Sequence, residues 1–115
     1  MNLKVSYFNL PVPDLKAARS FYRDQLGFEE TWREGDEACA FALPGTTIQL
    51  MLIQREPQHP DRAGLVFLIP SVDDFYEAQQ SAIRFHGKPV DIPGNGRWVG
   101  ALDATGHGLY FADIE

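Results

Sequence analysis

A four-residue pattern that occurs twice decides how this chain is interpreted. Val12-Pro13-Asp14-Leu15 returns 57 residues later as Ile69-Pro70-Ser71-Val72, with the order apolar residue, proline, helix N-capping residue, apolar residue. Each copy follows a segment that favours a β-strand and precedes a segment whose apolar residues have helical spacing. A chain without duplication could reuse proline before a helix cap, but the matching order of elements favours two similar supersecondary units.

The first copy predicts one strand, one helix and three further strands. Residues 4–12 alternate so that Phe8, Leu10 and Val12 share one side of a strand. The helix is predicted to run from Leu15 to Leu26, with Gly27 as its C-terminal stop. Strands are then predicted over residues 28–33, 38–43 and 47–54.

The second copy repeats this order after a polar, proline-containing linker over residues 55–63. A strand is predicted over residues 64–69, followed by a helix from Ser71 to Phe85 that ends before Gly87. Weaker strand signals cover residues 89–92, 97–102 and 108–112. Both halves therefore predict the order β-α-β-β-β.

Composition indicates one globular domain over residues 1–115 and excludes several classes of function. The net charge of -6, with ten scattered basic residues, argues against a nucleic-acid partner. No run approaches 18 apolar residues, so no membrane association is expected. A single cysteine, Cys39, permits no internal disulfide, which fits a cytoplasmic location.

Three segments of the chain resemble the glyoxalase / bleomycin-resistance / dioxygenase (vicinal oxygen chelate, VOC) superfamily. The first is Leu10-Pro11-Val12-Pro13-Asp14-Leu15. The second is residues 18–28, which contain the motifs Phe21-Tyr22 and Leu26-Gly27-Phe28. The third is the turn Asp103-Ala104-Thr105-Gly106-His107. The resemblance implies an α+β fold of tandem βαβββ modules, about 1–57 and about 58–115, which together form a U-shaped cavity. It also implies a homodimer.

Metal-dependent members of this superfamily carry a ligand on the first and fourth strands of each module. By resemblance, these positions fall on Tyr7 and Gln49 in module one and on Gly64 and Tyr110 in module two. Iron, zinc, nickel and manganese sites of this type need imidazole and carboxylate donors, which this set does not provide. We therefore expect no metal and no other cofactor.

Strand alternation predicts which side chains face the cavity. If Phe8 and Leu10 face the helix, then Tyr7 and Asn9 face the opposite side. The same argument applied to the other strands, with Trp98 as an added stacking surface, predicts a ligand-binding set of Tyr7, Asn9, Gln49, Met51, Trp98 and Tyr110. Such an apolar and aromatic lining with a few polar tips is typical of a small-molecule pocket.

Three functional hypotheses follow from these expectations. The first is a metal-independent protein that binds a small aromatic or cationic organic molecule, resembling the bleomycin-resistance branch and hence antibiotic-resistance proteins. The second is a lyase, isomerase or oxidoreductase that uses a displaced metal site or a tyrosine, Tyr7 or Tyr110, as general acid. The third is a regulatory or structural subunit whose cavity is filled by Trp98, Met51 and Tyr110.

Several other reactive residues are predicted to be structural. Cys39 alternates with Phe41 and is expected to be a buried apolar residue. His107 is expected to occupy a left-handed backbone position in the last turn, and His86 a helix C-terminus. An acidic cluster either keeps a hairpin soluble or attracts a cation, and comprises Glu29, Glu30, Glu34, Asp36 and Glu37.

Overall fold

The computed structural model describes residues 3–60, 62–92 and 96–113, and at Ile92 only the backbone. The elements of the first half are β1 (Lys4–Val12), α1 (Leu15–Ser20), a π-helix (Phe21–Gln25), β2 (Glu30–Glu34), β3 (Ala38–Ala42) and β4 (Gln49–Gln54). Those of the second half are β5 (Gly64–Leu68), α2 (Val72–Gln79), β6 (Arg84–Phe85), β7 (Val90–Ile92), β8 (Gly96–Leu102) and β9 (Gly108–Ala112). Within these residues, every helix is too short or too polar to cross a lipid bilayer.

Contacts group the described residues into two units, one of residues 7–63 and one of residues 3–6 with 64–113. The first unit has the strand order β2-β3-β4-β1. In it, β1 runs parallel to β4, and the other neighbours are antiparallel. The parallel pair is possible because α1 and two further strands separate β1 from β4 along the chain.

One face of the first sheet packs against α1. Leu15 of α1 lies in a core with Cys39, Phe41, Leu50 and Leu52, and the partly buried Phe8, Leu10 and Val12 pack on it. These apolar residues alternate along β1, β3 and β4, so their side chains point to the same side of the sheet. The predicted alternation of β1 and the predicted burial of Cys39 are confirmed.

The second unit has the same topology with a divided edge strand. Its order is β5-β9-β8-β6, β7 also pairs with β8, and β5 is parallel to β9. Both β6 and β7 pair antiparallel with β8, at Leu102 and Ala101 for β6 and at Trp98 to Gly96 for β7. The two short strands are therefore successive parts of one interrupted edge. The predicted α+β class with two βαβββ halves is confirmed in this form.

The predicted length of the second helix is wrong. The helix ends at Gln79 instead of Phe85, and Arg84 and Phe85 are extended and pair with β8. The extended backbone still brings Phe85 onto the core, where its ring lies 4.9 Å from that of Tyr76. Burial of Phe85 and pairing with β8 thus outweigh the weak helical pattern of residues 80–85.

The first helix was predicted as one α-helix, but its second half is a π-helix. α1 has regular geometry only to Ser20, and the π-helix continues to Gln25. The π-helix has Leu26 as its C-cap, and Gly27, the predicted stop, follows with a φ of 73°, in the left-handed region that favours glycine.

The two units tether their helices in the same way. The side chain of Gln54 accepts a 2.7 Å hydrogen bond from the backbone N–H of Leu15. Asp113 accepts one of 2.8 Å from the N–H of Val72, the residue equivalent to Leu15 in the repeat. In the first unit the last residue of β4, and in the second the residue after β9, therefore satisfies an amide at the helix start that has no partner within the helix.

Candidate functional site

Four of the six predicted ligand residues lie together in the first unit. Tyr7 is directly opposite Gln49, and Asn9 is directly opposite Met51, on the adjacent strands β1 and β4. Because the residues between them face the core against α1, these four lie on the opposite face of the sheet. We call the sheet face opposite the helix the far face of a unit.

Asn9 is the buried polar residue of this face. Its side chain is 0% exposed, and its Oδ1 has no hydrogen-bond donor among the residues that the structure describes. Its Nδ2 donates a long hydrogen bond of 3.5 Å to the carbonyl oxygen of Arg62. A buried acceptor without a donor costs about 1–3 kcal/mol, so this oxygen needs a donor from a water molecule or a ligand.

Tyr7 is a neutral hydrogen-bonding group at physiological pH. Burial raises the pKa of Tyr7 to about 12, because desolvation disfavours the phenolate. A general acid works best when its pKa lies near the working pH, and this shift moves Tyr7 away from that range. The hydroxyl can therefore donate to a ligand, but it is poorly suited to transfer its proton.

Gln49 is held in place by a residue that the sequence did not single out. The hydroxyl of Thr31 donates to Oε1 of Gln49. Thr31 lies where the pairing of β2 with β3 shifts register, between Glu30 and Trp32. This contact fixes the side-chain amide, so that the NH₂ group of Gln49 is its available hydrogen-bonding end.

Trp32 also lies on the far face and was missed by sequence analysis. Its partner across the sheet is Ala40, which pairs with Met51, which in turn pairs with Asn9. Strict alternation from Phe28 would place Trp32 on the core side, but the irregularity at Thr31 reverses the alternation. Trp32 is 41% exposed, so an aromatic surface is accessible at this edge of the first unit.

The other two predicted ligand residues pack against each other in the second unit. The rings of Trp98 and Tyr110 are stacked with centroids 4.6 Å apart, and the ring of His86 meets Tyr110 edge-on at 6.0 Å. Tyr110 is 0% exposed. An added Cβ on Gly100 would lie 2.3 Å from Nε2 of His86, so the imidazole lies directly over this glycine. The far face of the second unit is thus covered by its own aromatic side chains here.

The four positions equivalent to the metal ligands do not fit a metal site. Tyr7 and Gln49 face each other, but Gly64 pairs with Gly108, and Tyr110 pairs with Val66. A Cβ on Gly64 would lie 2.2 Å from the carbonyl oxygen of Gly108, so no side chain fits there. Within the described residues, no three His, Cys, Asp or Glu side chains converge. The expectation of no metal stays a prediction.

The last turn differs from the expectation for His107. The left-handed position is Gly106, with φ of 90°, and no residue other than glycine has a positive φ in the described ranges. Glycine takes this position because it has no Cβ to clash. Asp103 accepts 2.9 Å hydrogen bonds from the N–H groups of Thr105 and His107, and these bonds lower its pKa to about 2. The turn is held by its own hydrogen bonds.

The acidic cluster is partly neutralised. Glu30 accepts two hydrogen bonds from Arg19, of 2.5 and 2.8 Å, and Asp36 lies 3.3 Å from Arg33. The bond from Arg19 lowers the pKa of Glu30. Cys39 is buried on β3, next to this cluster. Desolvation raises the pKa of its thiol, which remains protonated.

Comparison with known proteins agrees with this fold. The profile of the family described as Glyoxalase/Bleomycin resistance protein/Dioxygenase superfamily matches residues 4–113. None of the curated proteins compared with the sequence matches it significantly.

Solved structures with low sequence identity share the architecture. A superfamily member from Vibrio splendidus 12B01 is 19% identical with a TM-score of 0.68, covering 99% of this chain and 100% of that one. A protein described as an NAD-dependent benzaldehyde dehydrogenase from Legionella pneumophila is 17% identical with a TM-score of 0.76, covering 95% and 98%. Methylmalonyl-CoA epimerase from Mycobacterium tuberculosis is 19% identical with a TM-score of 0.64, covering 96% and 87%. At these identities the likeness concerns the fold alone.

Proposed function

Since the chain belongs to the glyoxalase/bleomycin resistance protein/dioxygenase superfamily, we propose that it binds a small aromatic or cationic organic molecule on the far face of its first unit, without a metal ion. The contacts are assigned to Tyr7, Asn9, Gln49, Met51 and the added Trp32. The ring of Tyr110 already has a stacking partner in Trp98, whereas Oδ1 of Asn9 has none, so direct contact with the ligand is assigned to the first unit.

The observation that carries this proposal is the unpaired side-chain oxygen of Asn9. Buried polar groups are nearly always hydrogen-bonded, and an apolar residue at this position would avoid the cost of an orphan acceptor. A ligand N–H or O–H group that reaches Oδ1 supplies the missing donor. The carbonyl oxygen of Arg62 lies 3.5 Å from Nδ2 of Asn9. The segment that carries this carbonyl is therefore the part of the first unit that must move when a ligand reaches Oδ1.

Two further features favour an aromatic or cationic ligand. Trp32 offers an exposed indole, which can stack on a flat ring or attract a cation over its face. The net charge of -6 raises the local concentration of cations around the whole molecule.

The enzymatic alternative, a lyase, isomerase or oxidoreductase with a displaced metal site or a tyrosine acid, has less support. The pKa of Tyr7 is raised to about 12, which is the wrong direction for proton donation near neutral pH. The residues at the superfamily's ligand positions are also the wrong donors for such a metal, and Gly64 has no room for a longer side chain.

Binding can be tested with benzamide and benzylamine, which present N–H donors on a neutral and on a cationic aromatic molecule. We expect saturable binding of at least one probe in excess EDTA, monitored by NMR titration, and the same affinity in EDTA-free samples that contain added zinc, nickel or manganese. Binding that needs one of these metals, or no binding of either probe, would contradict the proposal.

Asn9→Leu separates a binding role from a structural role. The variant removes the orphan acceptor, so the free energy of unfolding should be unchanged or rise by up to about 1 kcal/mol, while probe affinity falls at least about tenfold. Met51→Leu, at the directly opposite position on β4, should change the stability and the probe affinity less than Asn9→Leu does, because it keeps an apolar side chain of similar volume. A loss of stability in Asn9→Leu with unchanged affinity would show that Asn9 is structural.

The proposal also includes a homodimer in the cytoplasm. The first unit exposes Phe21 and Leu26, at 44% and 49%, the first residue and the C-cap of the π-helix, and association would cover such apolar surface. We expect light scattering to give about twice the chain mass at tens of micromolar protein. A monomeric mass under these conditions would count against the dimer.

A further inference from the structure

A groove of about 440 Å³ lies on the helix side of the first unit, across the sheet from the far face. One wall is the start of α1 with its N-cap, and the other is the turn between β2 and β3. Gln54 also lines the groove, and its side chain joins the backbone of Leu15 to that of Pro13. This volume falls within the range of small-molecule pockets.

Three basic side chains line this groove in a protein that is acidic overall: Lys16, Arg19 and Arg33. Arg19 is engaged by Glu30 through its Nε and one terminal nitrogen. Arg33 donates from Nε to the carbonyl oxygen of Gly35. In the part of the chain that the structure describes, Lys16 has no ion-pair partner. Among the described residues Lys16 is therefore available to a ligand, whereas Arg33 also donates from a terminal nitrogen to Asp36 at 3.3 Å.

Two carboxylates of the groove differ in how firmly they are engaged. Asp14 caps α1 and accepts a 3.0 Å hydrogen bond from Ala17, so part of its charge is used by the helix. Asp36 meets Arg33 at 3.3 Å, but its side chain is 99% exposed. An exposed ion pair of this kind contributes little, so an incoming anion can replace Asp36 beside Arg33.

We propose that this groove binds an oxyanion, the carboxylate or phosphate group of a small molecule, between Lys16 and Arg33, with Asp36 displaced toward solvent. An arginine fork can give parallel hydrogen bonds to either group, and lysine adds a flexible charge. The site is separate from the ligand position proposed on the far face, so either one can be wrong without the other.

Sodium phosphate and sodium citrate are suitable probes, each titrated into the full chain and compared with sodium chloride at equal ionic strength. We expect saturable amide shifts by NMR around the groove, with millimolar affinity that falls as salt is added. Tighter phosphate binding would indicate a phosphorylated ligand, and tighter citrate binding a polycarboxylate. Shifts that chloride reproduces would show general screening and overturn the proposal.

Charge-neutralising variants of similar size test the geometry. Lys16→Gln and Arg33→Gln should each weaken binding about tenfold, whereas Lys88→Gln, a surface cation of the second unit, should not. Asp36→Asn should tighten binding severalfold, because the competing carboxylate is removed. Glu37→Gln changes the net charge equally but does not line the groove. If Asp36→Asn and Glu37→Gln changed the affinity for the anion equally, or if all three cation variants did, binding would depend on net charge alone. Either result would refute the proposed site.

Discussion

Tyr110→Ala is expected to lower the free energy of unfolding by about 3–5 kcal/mol, as large aromatic truncations in a core do. Tyr110 is 0% exposed, stacks on Trp98 at 4.6 Å and touches the edge of His86. Removal of the ring leaves a void between two side chains that lose their common partner. Chemical denaturation with circular dichroism, comparing midpoint and slope with the wild type, measures the effect.

Tyr110→Phe is the matched control for this void. It keeps the ring and therefore the stack with Trp98, so most of the stability should remain. Probe binding in Tyr110→Ala then decides between two roles predicted from the sequence, a wall of the ligand site and a filled cavity. A loss of less than about 1 kcal/mol, together with weakened binding of benzamide or benzylamine, would favour the ligand wall.

The fold was predictable because it depends on local patterns that occur twice. The N-caps Asp14 and Ser71 accept from Ala17 and Asp74 as their sequence positions predict. Burial along β1 follows simple alternation because its pairing with β4 is regular over Tyr7 to Val12. The repeat offset therefore gave the order of the elements, and alternation gave the side of β1 that meets the helix.

The site was less predictable because it depends on departures from regular pairing. The register shift at Thr31 brings Trp32 to the far face, and no periodicity in residues 28–33 signals such an irregularity. The end of α2 was missed for a related reason, since Arg84 and Phe85 are extended only because β8 is available to pair with them. Pairing with another strand decided both the side on which Trp32 lies and the end of α2. The propensities of a short sequence window carry no information about such pairing.

Gly64→Ala is expected to destabilise the second unit by about 3 kcal/mol, at the upper end of the cost of overpacking a core. The new Cβ would lie 2.2 Å from the carbonyl oxygen of Gly108 and 2.7 Å from its carbonyl carbon. Both are backbone atoms in the parallel pair of β5 and β9, so the strands themselves must separate. Unfolding in urea, with hydrogen exchange of the β5 and β9 amides, would locate the loss.

Gly100→Ala is the matched control, because its Cβ meets a side chain instead of the backbone. The nearest atom, Nε2 of His86 at 2.3 Å, ends an exposed side chain that can rotate away, although Tyr110 at 3.1 Å must shift slightly. This variant should therefore lose only about 1 kcal/mol. If Gly64→Ala were as stable as the wild type, β5 and β9 could accommodate a side chain there. The packing argument against a superfamily-type metal ligand at position 64 would then fail. The argument from donor chemistry at Tyr7, Gln49 and Tyr110 would stand alone.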